Sequence, residues 1–252
     1  MNGRILVERT RIAGWPALHA APAARFDEPL PTVLVYHGFT RSKELDSNLA
    51  VMLAHAGLRA VLPEARAHGE RFDGDAALRL TRFWDILKSC IDELPMLRAE
   101  LQARGWVDDG RLGVAGLSMG GFVVLGALAR YDGLRAGVSW MGSGHYLDLA
   151  RTLYPPLGAF TAATAAAHEA LLAPLTDYDP SLRLERLARQ PLLLWHGVRD
   201  EIVPFSESAR LYAGLVRCGG ADWVEFIADP AANHKLPVAG AEVGVAFLRR
   251  TL

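Results

Sequence analysis

The run Gly116-Leu117-Ser118-Met119-Gly120 follows the short apolar stretch Arg111–Ala115 and leads straight into a helical pattern. A strand that turns abruptly into a helix needs glycines two positions either side of the turning residue, because a β-carbon there would meet neighbouring backbone. Such a turn lifts the Ser118 hydroxyl off the sheet edge in a strained conformation, beside the positive end of the following helix. A serine hydroxyl becomes a useful nucleophile only when an imidazole takes its proton and a carboxylate fixes the imidazole's tautomer. Both partners occur downstream. Asp200 closes His196-Gly197-Val198-Arg199-Asp200, just past the apolar run Leu192–Trp195, and His234 lies in the loop after the strand-like Asp222–Ile227. The pattern therefore places Ser118, Asp200 and His234 as nucleophile, acid and base on separate loops at one edge of one sheet.

Each of these residues has a duller explanation. Gly-x-Ser-x-Gly alone is a weak signal and arises by chance in many chains. Asp200 would also serve as the N-cap of a helix starting near Pro204, with Glu201 as a competing acid. His37, His68, His145, His168 and His196 compete with His234, and chain order selects His234. Upstream, the strand Pro31–Tyr36 ends in His37-Gly38-Phe39-Thr40. The N–H groups of Phe39 and Met119 would form an oxyanion hole, in which one donor is worth a few kcal/mol of barrier (about 3). His37 reads as a brace for that loop. A metal site from His37, His68 and His196 lacks both His-x-x-x-His spacing and thiolates, so neither a metal nor a cofactor is expected. Trp140 and Met141, at the end of the strand that follows the helix after Ser118, and Tyr146 are the candidate pocket walls.

Positioning these loops takes alternating strands and helices. Strands are predicted near Arg4–Ile12, Ala17–Phe26, Val33–Tyr36, Arg59–Leu62, Leu112–Ala115, Ala136–Trp140, Leu192–Trp195 and Trp223–Ile227. Helices are predicted over Lys43–Ala56, Ala76–Arg104, Met119–Tyr131, Pro204–Cys218 and Lys235–Arg250. The fold class is α/β: a mostly parallel sheet of about eight strands with helices on both faces, since near-continuous apolar strands must be covered twice. Residues 143–189, rich in Ala, Leu and Pro, break the alternation. They are predicted to form a small helical cap inserted within a single domain spanning 1–252, its inner side walling Ser118.

On these residues the chain resembles the α/β-hydrolase superfamily from about residue 25 onward, and more narrowly the small bacterial serine esterases of the dienelactone-hydrolase-like and prolyl-oligopeptidase-like branch. The matching residues are His37-Gly38-Phe39, Glu64-Ala65-Arg66-Ala67-His68-Gly69, Gly116–Gly121, His196-Gly197-x-x-Asp200 and His234. The resemblance implies the same triad and the same oxyanion donors. Glu64 departs from the Asp common at its position, which concerns loop organisation more than chemistry. Serine at the elbow argues against dehalogenases, which carry Asp there, and against true dienelactone hydrolases, which carry Cys.

Composition agrees. The 252 residues are 51% hydrophobic, enough for one large core. A net charge of -1 with interspersed signs leaves no footprint for nucleic acid. The N-terminal run carries charges inside its apolar stretch, and the Ala-rich segment Phe160–Ala173 is too short to span a bilayer, so a cytoplasmic location without a membrane span is expected. In that compartment Cys90 and Cys218 are expected as free thiols. The expected activity is a carboxylesterase acting on short- to medium-chain acyl esters, with a small-molecule ester and water as its partners. The alternatives are amide, peptide or thioester hydrolysis on the same triad, or a non-catalytic receptor of this fold. Oligomeric state is not legible.

Overall fold

The central strands are apolar on both faces, and in the computed structural model, which describes residues 3–252, both faces are covered. The elements run in chain order as β1 (Ile5–Ile12), β2 (Trp15–Pro22), β3 (Leu30–Tyr36), α1 (Ser47–His55), β4 (Arg59–Pro63), α2 (Ala76–Thr81), α3 (Phe83–Ala103), β5 (Val107–Leu117), α4 (Met119–Arg130), β6 (Ala136–Trp140), α5 (Tyr146–Leu149), α6 (Ala165–Leu172), α7 (Leu184–Leu187), β7 (Leu192–Gly197), α8 (Phe205–Arg217), β8 (Val224–Asp229) and α9 (Val238–Thr251). The eight strands form one sheet in the order β1-β2-β4-β3-β5-β6-β7-β8. β3 to β8 are mutually parallel, and β1 and β2 add an antiparallel edge.

β5 lies in mid-sheet between β3 and β6, so the residue at its carboxyl end emerges where the crossovers diverge to either side. On one face α3, α4 and α8 pack over Leu34, Val114 and Leu194. On the other, α1 and α9 cover Val35, Ala115 and Val138. Residues 143–189 hold α5, α6 and α7, whose Tyr146, Leu172 and Leu187 join the core on the α3 and α4 side.

The predicted helix over 76–104 is two helices, broken at Arg82. Asp75 caps α2 through the Leu78 amide, and α2 buries no residue, so nothing ties it into line with α3, which buries nine. β2 occupies 15–22 rather than 17–26, and residues 23–25 form a short 3-10 turn instead. β5 is longer than expected because its early residues pair with β3 across a register shift.

Candidate active site

Ser118 has φ 51° and ψ -117°, a conformation that an L-residue holds only when the surrounding chain imposes it. Its N–H donates to the Trp140 carbonyl at 2.8 Å, and its own carbonyl accepts the Phe122 N–H at 3.1 Å. The flanking glycines make the turn possible. A β-carbon on Gly116 would lie 2.4 Å from the Gly120 backbone, and one on Gly120 would lie 2.0 Å from the Tyr36 carbonyl oxygen. Ser118 thus stands directly before α4 with its side chain free for other partners.

Those partners arrive from two loops. His234 Nε2 is 2.9 Å from Ser118 Oγ, and its Nδ1 is 2.6 Å from Asp200 Oδ2. Asp200 Oδ1 accepts the N–H groups of Ile202 and Val203, each at 2.9 Å. The Asp200 side chain is fully buried, whereas Glu201 is exposed. Burial alone would raise its pKa, but hydrogen bonds from His196, His234 and the Ile202 amide outweigh this and hold the carboxyl well below the usual carboxylate range.

Gly197 explains how the two loops approach. A β-carbon there would sit 2.6 Å from the carbonyl oxygens of both Ala232 and Asn233, so only glycine lets the His234 loop pass. His196 is wholly buried with Nδ1 2.7 Å from Ser208 Oγ and Nε2 2.9 Å from the Val203 carbonyl oxygen, bracing the Asp200 loop.

The N–H groups of Phe39 and Met119 find no acceptor among the described residues. The loop carrying Phe39 is held from beneath. Thr40, at φ 63°, donates its N–H to His68 Nε2 at 2.9 Å, and His68 Nδ1 donates to the Arg66 carbonyl at 2.8 Å. Burial pushes the His68 pKa down to about 4, so at neutral pH its ring is uncharged and able to accept. His37 takes the Ala65 N–H on Nε2 at 3.1 Å. Glu64 and Lys43, both without solvent exposure, pair at 2.7 Å. Burial opposes both charges, yet the Lys43 ammonium holds Glu64 down to about 2, and the carboxylates around Lys43 hold it protonated above its ordinary range. The carboxylates of Glu44, Glu64 and Glu70 converge, and the Lys43 ammonium lies within 3.0 Å of an oxygen from each.

A cavity of about 420 Å³ opens beside Ser118 and His234, between the β3–α1 segment and the start of α9. Met141 lines it. Trp140 and Tyr146, expected as walls, do not. Trp140 is fully buried beneath α9, its indole N–H donating to the Gly240 carbonyl at 3.0 Å, and Tyr146 is fully buried with its hydroxyl on the Phe122 carbonyl oxygen. Nor do residues 143–189 line this cavity. Their Tyr154 instead meets the rings of Phe39 and Phe83, at 5.1 and 4.8 Å, and so backs the Phe39 loop. Sequence reasoning missed Arg41, Asp46 and Lys235, which do line the cavity. For Arg41 and Lys235, closeness in sequence to His37-Gly38-Phe39 and to His234 was the available signal; Asp46 had none.

The sheet order, the elbow and the facing base and acid define an α/β-hydrolase. The prolyl oligopeptidase family profile matches residues 87–250. The chain belongs to that family. It is 42% identical to esterase YjfP of Escherichia coli (strain K12), across 98% of this chain and all of that one. Its fold is similar to that of TT1662 from Thermus thermophilus (TM-score 0.79, 26% identity, 98% of each chain). It is also similar in fold to a puromycin-hydrolyzing peptidase from Mycobacterium tuberculosis (TM-score 0.71, 22% identity), matching 39% of that longer chain. No helix among the described residues is long and apolar enough to cross a membrane.

Proposed function

We propose that this protein is a serine carboxylesterase that cleaves short- to medium-chain acyl esters through an acyl-enzyme intermediate. The observation that carries this reading is the continuous relay from Ser118 Oγ through His234 to Asp200, at 2.9 and 2.6 Å. The likeness to an esterase across the full chain length supports it.

In this reading His234 takes the Ser118 proton as Oγ attacks the ester carbonyl, and the oxyanion is received by the N–H groups of Phe39 and Met119. His234 returns the proton to the departing alcohol. It then deprotonates a water molecule, which releases the acid and frees Ser118. Asp200, ionised and immobilised, holds the imidazole with Nε2 toward serine throughout. Met141, Leu49 and Met52 supply apolar wall in a cavity of about 420 Å³, a size suited to a modest acyl group. Residues 143–189 form an insertion within the single hydrolase domain. A cytoplasmic setting fits the free thiols of Cys90 and Cys218.

The experiment is hydrolysis of p-nitrophenyl esters of increasing acyl length by the wild type and by Ser118→Ala. Activity that peaks at one length and disappears in the variant upholds the reading. Inactivity on every ester, or full rate in the variant, removes it.

A further inference from the structure

The cavity beside Ser118 carries more positive charge than negative. Arg41, Lys235 and Asp46 line it, and Asp46 is the sole carboxylate among its lining residues. A β-carbon built on Gly38 would lie 3.1 Å from Arg41 Cδ and 3.7 Å from Ser118 Cβ, so the arginine stem runs alongside the nucleophile.

Arg41 is fixed in place. Its Nη2 donates to Asp46 Oδ1 at 2.7 Å and to the Leu45 carbonyl at 3.0 Å, and its Nε contacts Asp46 Oδ1 at 3.2 Å. Asp46 stands at the N-cap of α1, where an aspartate ordinarily accepts an amide from the first turn, yet it makes no such bond. The carboxylate, with 3% of its side chain exposed, holds the guanidinium instead. Nη1 has no partner among the described residues, which leaves its N–H groups as charged donors for one oxygen of an anion. Across the cavity Lys235 follows His234, exposed and without an ion-pair partner among the described residues.

We infer that the ester accepted here bears a carboxylate, received by Arg41 Nη1 and the Lys235 ammonium. The inference rests on the esterase reading above and names its substrate class. With Asp46 already neutralised by Arg41, Lys235 leaves the cavity with uncompensated positive charge, and a carboxylate is the group that would answer it.

The test compares p-nitrophenyl valerate with mono-p-nitrophenyl glutarate, charged on the acyl side, and with the valerate ester of a hydroxynitrobenzoate, charged on the alcohol side. The quantity read is the ratio of kcat/KM for each charged ester to that of the neutral one. Lys235→Met disturbs no buried group. Arg41→Met uncovers Asp46, so it is read together with the double variant Arg41→Met/Asp46→Leu, which leaves no buried charge. The ratio is expected to fall about tenfold for one charged ester in Lys235→Met and in the double variant, through KM, and the ester that responds identifies the side bearing the carboxylate. A fall short of about threefold for both charged esters in every variant overturns the inference while leaving the esterase reading intact. Wild-type inactivity on all three esters instead fails the esterase reading and takes the inference with it.

Discussion

His234 Nδ1 lies 2.6 Å from Asp200 Oδ2, and that carboxylate has no solvent exposure while its other oxygen accepts two backbone amides. Nothing in this arrangement lets the carboxylate turn away from the imidazole, so tautomer and ring orientation are both set before substrate arrives. Asp200→Asn keeps the shape but presents an amide, which favours the wrong tautomer. The expected loss in kcat is on the order of 10⁴-fold with KM little changed, measured on a p-nitrophenyl ester.

Ser118 at φ 51° is strained, and glycine holds that conformation at no steric cost. Ser118→Gly is expected to abolish esterase activity and to raise the unfolding free energy by about 1 kcal/mol, read from urea denaturation. A variant no more stable than the wild type would show that the turn stores no strain.

His68 holds the Phe39 loop by accepting the Thr40 N–H. His68→Leu removes the acceptor while filling the site, and a loop shifted by about 1 Å is expected to lower kcat on the order of 10²-fold. A trifluoromethyl ketone, which forms an oxyanion on Ser118, should lose affinity in parallel while KM is retained. His68→Gln, which offers a carbonyl oxygen to the same amide, should recover part of both. Equal losses in KM and kcat would place His68 outside oxyanion positioning.

Glu64 titrates at about 2 in the folded protein against an ordinary 4.5. The folded pKa lies below the unfolded one, so its contribution is complete above the ordinary value and vanishes as pH falls toward 2. That contribution is on the order of 3 kcal/mol. Asp200 acts with the same sign. Urea midpoints should therefore fall steeply between pH 5 and pH 2 (approximate limits), and Glu64→Gln should flatten that fall while destabilising the protein at neutral pH by about 2 kcal/mol, because Lys43 loses its one fully buried carboxylate and keeps only Glu44 and Glu70.

Cys90 is buried, which pushes its thiol up to about 12, whereas Cys218 is partly exposed. A thiol-reactive chromophore should label Cys218 quickly in the native protein and reach Cys90 only after denaturant is added. Rapid labelling of Cys90 in the native state would contradict the burial.

Much of this arrangement is written in local sequence. Glycines 116 and 120 admit one turn geometry, the apolar runs are long enough to demand cover on both faces, and the order Ser118, Asp200, His234 follows from three separate strand-to-loop transitions. These features depend on spacing and side-chain volume within a few residues, which is why they can be read without coordinates.

Which way each side chain faces could not be read. Trp140 ends β6 beside the elbow and resembled a pocket wall, yet the alternation of a strand says only that neighbours face opposite sides, and packing under α9 decided which side is core. Met141, turned by a positive φ of 54°, lines the cavity in its place. That residues 143–189 pack on the α3 and α4 side and back Phe39 was not legible. The chain alone determined the order of Ser118, Asp200 and His234 and the glycine-flanked turn at Ser118. Only the tertiary structure decided that Asp46 holds Arg41 rather than capping its helix, that Lys43 is the cation among three glutamates, and that Gly197 clears a path for His234, because each is a contact between segments whose approach is set by the packing of the whole sheet.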